Sequence, residues 1–132
     1  MMSSTEYLDQ LEVNIDPKAV LRIQGYKDDH KPPASISEIT TREIEAAQQL
    51  AHPRAIYREV EVLGMEGDTL RLGGYIQLHV GAKIARWWDG SQFLAVAVCT
   101  IGGALEERIL ALSQKGENAA ALILDIAGSL AL

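Results

Sequence analysis

The spacing of apolar residues changes twice along the chain, which divides it into helical, extended and again helical segments. Over residues 16–52 apolar positions recur every three or four residues, as in amphipathic helices. Over residues 54–79 they alternate with polar positions, as in half-exposed strands. The helical spacing returns from residue 103 onward. This order of elements predicts an α+β fold, since helices and strands are largely segregated along the chain.

The first helical region contains two helices with local start and stop signals. Asp16 is a good N-cap and Pro17 suits the first helical position, so a helix begins here and ends near Gly25. Residues 35–38, Ser-Ile-Ser-Glu, fit a capping box for a second helix. That helix ends before Pro53, because proline cannot continue a helix.

The extended region predicts short antiparallel strands. A later apolar run, residues 93–99, lacks their alternation of apolar and polar residues. Ile56, Val60 and Val62 alternate with polar residues, and residues 80–88 fit a short helix. Residues 93–99 are apolar without alternation, which predicts a central strand covered on both faces. Cys99 ends this run and is interpreted as a buried small residue, with a reactive thiol as the alternative.

The C-terminal third predicts two helices, over residues 103–113 and 118–132, with Gly116 between them and Asn118 as a cap. The apolar residues of the last helix do not fit one narrow stripe, so we expect another polypeptide to cover it, either a second copy or a missing half. The alternative is that the two upstream helices and the sheet enclose it. The pattern is still apolar at Leu132. Residues 1–132 are therefore expected to form a single domain that is incomplete at its C-terminus.

Composition and charge exclude several classes of function. The chain has 132 residues, 48% of them hydrophobic and 23% charged, and a formal net charge of −6. An acidic protein is a poor partner for nucleic acid or an anionic membrane. No apolar run reaches the length of a membrane helix, and no secretion signal is visible. One cysteine cannot form an internal disulfide, which agrees with the cytoplasmic location that we expect.

Two kinds of catalytic site lack support in the sequence. His30, His52 and His79 are far apart, and none has a second ligand at metal-binding spacing. No G-x-S-x-G element is present, so nucleophilic catalysis has no signal either. We therefore expect no metal site, no catalytic residue and no independent catalytic activity. Trp87 and Trp88 form either a docking patch or one core and one surface tryptophan.

Candidate ligand contacts lie in the C-terminal third. Thr100 and Gly102 stand where a strand enters a helix, a position that either attracts anions or lets strand and helix pack closely. Glu106 is in the first helical turn, as an acid–base group or as a favourable partner of the helix dipole. Asp125 is the one charge on an apolar helix, so it faces a ligand cleft or pairs with an arginine.

Four segments together resemble the activation domain of cobalamin-dependent methionine synthase, in the short free-standing form of some bacteria. Their order and spacing match the family over most of residues 17–132. The segments are residues 20–26 (Val-Leu-Arg-Ile-Gln-Gly-Tyr), residues 53–58 (Pro-Arg-Ala-Ile-Tyr-Arg), residues 100–106 around Thr-Ile-Gly and Leu-Glu, and residues 124–129 (Leu-Asp-Ile-Ala-Gly-Ser).

The resemblance implies a curved, mostly antiparallel sheet flanked by helices. It also implies a helper function in methionine biosynthesis, namely S-adenosylmethionine binding and support of the reductive reactivation of a cobalamin enzyme. Cobalamin would then be held by a partner, a corrinoid protein, and the methyl transfer is chemistry of the cofactor. An external flavoprotein supplies the electron in this family.

The chain departs from the family at its main S-adenosylmethionine signature, Arg-x-x-Pro-Gly-Tyr. None of its four prolines is followed by Gly-Tyr, so it resembles the N-terminal half of the domain and no cofactor is assigned to this chain alone. Weak ligand candidates remain, and some of them match scaffold positions of the family: Thr100, Gly102, Glu106, Asp125 and Ser129. One rival hypothesis is an interaction subunit that kept the scaffold but lost the ligand site, with the apolar last helix as its interface. Another is an unrelated small enzyme that uses Glu106 and Asp125.

Overall fold

The computed structural model describes residues 4–132, and the chain has an α+β fold. In chain order the elements are β1 Glu6–Leu8, α1 Pro17–Ile23, α2 Ala34–Leu50, β2 Arg54–Glu66, β3 Thr69–Leu72, β4 Ile76–His79, α3 Gly81–Trp88, β5 Phe93–Thr100, α4 Ala104–Gln114 and α5 Asn118–Leu130. They group into two compact units. The sheet unit contains β1 and Ala55–Val98, and the helical unit contains Asp9–Arg54 and Cys99–Leu132. The single domain expected over residues 1–132 stays a prediction.

The helical unit is built around α5, which packs against α1, α2 and α4. One face of α5 is buried and consists of Ala120, Ala121, Ile123, Leu124, Ala127 and Gly128. Leu124 is fully buried, together with Val20 of α1 and Leu105 of α4. Helix α5 is therefore covered on one side by its own chain, because its small residues let three other helices approach.

Close approach between α4 and α5 depends on Gly128. A Cβ atom at Gly128 would lie 3.0 Å from Leu105 Cδ2 and 3.2 Å from Ile101 Cδ1. Both distances are shorter than ordinary van der Waals contact between carbon atoms. A side chain at this position would require the Leu105 and Ile101 side chains to shift by a few tenths of an ångström.

Three large apolar residues in this region are exposed: Leu122 and Leu130 on α5, and Leu132 beyond its end. Cover of α5 by another polypeptide stays a prediction. It now concerns these three residues, because Leu124 is already buried by its own chain.

Helix starts were predicted correctly where a local cap exists. Helix α1 begins at Pro17, and Asp16 Oδ1 accepts a hydrogen bond from Lys18 N–H at 2.9 Å. The capping box at residues 35–38 is wrong, since α2 begins at Ala34 after Pro33 with no side-chain cap. The cap at Asn118 is also wrong by one residue, because Glu117 is the N-cap of α5.

The sheet unit has five strands among its described residues, in the order β1-β2-β3-β4, with β5 paired to β2. Strand β2 pairs antiparallel with β1, and its second half pairs antiparallel with β3. The register between β2 and β3 shifts between Val62 and Gly64. Such a bulge increases the local twist of a strand, which agrees with the curled sheet that is observed.

A small core fills the sheet unit. Its contacts decide whether Trp87 and Trp88 form a docking patch or one core and one surface residue. Val60, Leu70 and Leu72 are buried, and the half-buried Trp88 packs against them. Trp87 is exposed, with Lys83 Nζ 5.5 Å from the centre of its ring. The adjacent pair is therefore one core and one surface residue, and no docking patch is needed to explain it.

The prediction for residues 93–99 is half right. The segment is a strand, β5, but nearly all of its residues are exposed and only Leu94 packs against the small core. A strand covered on both faces is therefore wrong, and so is a buried Cys99, which is exposed. Apolar composition identified the strand but could not show whether a neighbouring layer covers it.

We expect Leu124→Ala to lower the free energy of unfolding by about 2–5 kcal/mol, since it leaves a cavity between α5 and its neighbours. Leu122→Ala is the matched control, because the same atoms are removed from an exposed position of the same helix. Its effect should stay within about 0.5 kcal/mol. Urea unfolding followed by circular dichroism measures both, and equal effects would contradict the observed orientation of α5.

Candidate functional site

The candidate site is the turn from β5 into α4, over residues 100–103. Gly102 has φ +83°, a conformation that favours glycine. Its N–H donates a hydrogen bond to Thr100 Oγ1 at 3.1 Å, which engages the hydroxyl in the turn itself. A Cβ at Gly102 would lie 3.4 Å from His52 Cβ. These contacts favour close packing over anion binding as the reason for this glycine.

His52 and Asp9 lie beside this turn, and sequence analysis placed neither of them there. His52 N–H donates to the carbonyl oxygen of Ile101 at 2.7 Å, and its ring Nε2 lies 3.2 Å from Asp9 Oδ1. The backbone N–H of Gln10, followed by His52, lowers the pKa of Asp9 below its ordinary value. No local signal could have found a pair separated by 43 residues, because only the fold brings them together.

The first turn of α4 carries carboxylates. Its N-cap, Gly103, makes no side-chain hydrogen bond, and both Glu106 and Glu107 are in the first turn and exposed. Carboxylates at this position interact favourably with the helix dipole and repel a second anion. The solvated interpretation of Glu106 therefore fits the structure better than a phosphate site at this helix end.

Asp125 and Ser129 are both exposed, one turn apart on α5. Ser129 Oγ donates to the carbonyl oxygen of Asp125 at 3.1 Å. Within residues 4–132 the Asp125 carboxylate forms no ion pair with an arginine, and its side chain is exposed on α5. Gly128 adjoins Ser129 and packs on Ile101, which lies between Thr100 and Gly102. The fold thus brings the turn next to the C-terminal half of α5.

The polar side chains of the candidate site lie at the protein surface. The site offers hydroxyl oxygens, a histidine ring and exposed carboxylates. Glu106 and Asp125 are both exposed to solvent. Within the described part of the chain, no three His, Cys, Asp or Glu side chains are grouped as metal ligands would be.

The strongest electrostatic feature is a buried ion cluster between α2 and α4. The Glu43 carboxylate is fully buried and accepts hydrogen bonds from Arg108 Nε at 3.0 Å, Arg108 Nη2 at 3.1 Å and Arg42 Nε at 2.8 Å. Burial raises the pKa of Glu43, but hydrogen bonds from Arg108 and Arg42 outweigh it, so the pKa lies below its ordinary value. Glu43 in turn raises the pKa of Arg108.

This cluster is structural rather than part of the candidate site, because each acceptor oxygen of Glu43 is already occupied. Sequence reasoning overlooked it. A signal existed, since Glu43 lies between Thr40 and Ala47 on the buried stripe of α2. A charge in such a stripe requires a partner of opposite charge.

No known protein family matches the chain, and no curated protein is significantly similar to it. Of the helices between residues 4 and 132, none combines the length and apolar character needed to cross a membrane.

We expect Glu43→Gln to destabilise the protein by about 1–3 kcal/mol at neutral pH, since the variant loses charge-assisted hydrogen bonds while keeping its volume. Because the pKa of Glu43 is lowered by folding, its contribution is complete above the ordinary value of 4.5 and decreases as the pH falls below it. Unfolding free energies should therefore differ between wild type and variant at neutral pH and converge in acid. A difference that does not change with pH would contradict the assignment.

Proposed function

We propose that the chain is a helper domain in corrinoid-dependent methyl transfer, similar to the S-adenosylmethionine-binding domain that supports reductive reactivation of cobalamin-dependent methionine synthase. It acts by docking and positioning rather than as an independent catalyst. The cytoplasm is the proposed setting, since a reducing compartment keeps the exposed Cys99 as a thiol.

One observation carries this proposal: three of the four segments that bear the resemblance lie in the helical unit. Gly128 of the last segment packs on Ile101 and Leu105 of the third. His52, directly before Pro53 of the second segment, donates to the carbonyl oxygen of Ile101. Val20 of the first segment belongs to the same buried cluster. The first, third and fourth segments thus contribute to one buried cluster, which supports reading them together.

The chemistry of the exposed groups supports a cationic ligand. S-adenosylmethionine carries a sulfonium and an ammonium group, and carboxylates such as Glu106 and Asp125 attract positive charge. Thr100 and Ser129 already hydrogen-bond within the chain, to Gly102 N–H and to the carbonyl oxygen of Asp125. Their contribution to a ligand would be secondary.

An alternative of another class is a non-catalytic interaction subunit that kept the scaffold and lost the ligand site. The exposure of Leu122 and Leu130 on α5, and of Leu132 beyond its end, favours it. Under this alternative a partner is bound through apolar contacts, so Leu122→Asp removes binding while Asp125→Asn leaves it intact. Under the helper function, Asp125→Asn weakens binding and Leu122→Asp leaves it intact.

The isolated chain should bind S-adenosylmethionine only weakly, because it contains no Pro-Gly-Tyr segment. Isothermal titration measures this directly. Micromolar affinity for the isolated chain would show that residues 100–129 form a complete site. In that case Asp125→Asn should abolish the binding, with Asn118→Ala at the other end of α5 as the control.

The helper function itself predicts docking to a corrinoid protein. We expect the chain to co-sediment with the cobalamin-loaded fragment of a methionine synthase that lacks its own activation domain. Asp125→Asn combined with Ser129→Ala should weaken this complex about tenfold, which corresponds to roughly 1.4 kcal/mol. Asn118→Ala should leave it unchanged. No complex at micromolar concentrations of both proteins would contradict the proposal.

A further inference from the structure

Strand β5 presents a backbone edge that no other described strand covers. Among the described strands it pairs with β2 alone. Its other edge is therefore a row of N–H and C=O groups that can pair with an added strand. An eight-residue strand is long for an edge, since natural edge strands are usually kept short.

The side chains of β5 make this edge more unusual. Phe93 is 55% exposed, Val96 43% and Val98 67%. No charged residue and no proline occurs between Asp89 and Glu106. Proteins protect exposed edges with charges or prolines, and β5 has neither. An edge of this kind is typical of a strand that is covered in the functional assembly.

An apolar surface continues from β5 across the sheet. A cleft of about 290 Å³ is lined by Thr5, Ile56, Tyr57, Arg58, Val96 and Val98. Tyr7 of β1 is 75% exposed and stands directly opposite Ile56 in the register of β1 and β2. The surface thus spans β1, β2 and β5. Contiguous apolar surfaces of this kind mark interaction sites in proteins.

We infer that β5 pairs with β5 of a second copy of this chain, antiparallel about a two-fold axis. The occupant must be an extended, uncharged strand with an unpaired edge of its own, and β5 itself meets each requirement. The copies carry a net charge of −6 each, but the paired segments carry no charge, so no like charges meet at the strand contact.

The two-fold symmetry limits this assembly to a dimer. An antiparallel pair of identical strands is isologous, so each copy covers the edge of the other and no edge of β5 remains. The exposed Tyr7, Ile56 and Val98 surfaces lie beside the joined strands and become available for packing. The inference does not rest on the proposed methyl-transfer function, since it uses only the sheet unit.

Sedimentation velocity over a range of concentrations tests the dimer. Wild type should form a dimer with micromolar dissociation constant, and Val96→Lys or Val98→Lys should weaken it at least about tenfold by placing charges at the strand edge. Leu122→Lys is the matched control, because Leu122 is 57% exposed but lies on α5. A monomer at all concentrations overturns the inference, as does a dimer that only Leu122→Lys removes.

Cysteine cross-linking keeps the inference testable if a lysine variant fails to fold. Single cysteines at Ala95, Val96 and Ala97 are introduced into a Cys99→Ser background, and each is oxidised. An antiparallel pair brings residues near the two-fold axis within about 5.5 Å between Cα atoms, which a disulfide can span. At least one position should cross-link, whereas Ser113→Cys on α4 should not. A dimer that cross-links at none of the three positions overturns the pairing.

Discussion

Burial of one face of α5 is the interaction on which the rest of the helical unit depends. An isolated helix of this length is marginal in water, so α5 owes its stability to packing. Alanine and Gly128 keep the buried face shallow, while Ile123 and Leu124 fill the space between α2 and α4. Helices α1, α2 and α4 come from different parts of the chain, and all three pack against α5.

The ion cluster of Glu43 restricts the orientation of the packed helices. Apolar contacts tolerate rotation of one helix against another, because they have little angular preference. A carboxylate that accepts two hydrogen bonds from one guanidinium does not, since both bonds require a fixed geometry. Glu43 and Arg108 therefore fix how α2 is rotated relative to α4. The outer arginine, Arg42, also approaches Glu117 at 3.8 Å and extends the network towards the start of α5.

Sequence reasoning succeeded where the determining chemistry is local and failed where it is tertiary. The start of α1 at Asp16 follows from one side chain and its neighbouring N–H groups, so it was predictable. Exposure of β5 was not, since an apolar run is equally compatible with cover by its own chain or by another. Thr100 and Gly102 were correctly placed at a strand–helix turn, but the contacts of His52 with this turn and with Asp9 depend on the whole fold. Glu43 was detectable, because it interrupts an apolar stripe.

The discontinuity of the helical unit has a consequence for synthesis on the ribosome. Residues 9–54 emerge early, yet the face of α2 that receives α5 has no cover until residues 118–130 leave the exit tunnel. The β2, β3 and β4 strands, in contrast, are contiguous and can form a meander as soon as residue 79 emerges. While residues 51–130 are synthesised, the apolar face of the amphipathic helix α2 therefore stays uncovered by α5. This interval is the one in which chaperone binding or aggregation competes with folding.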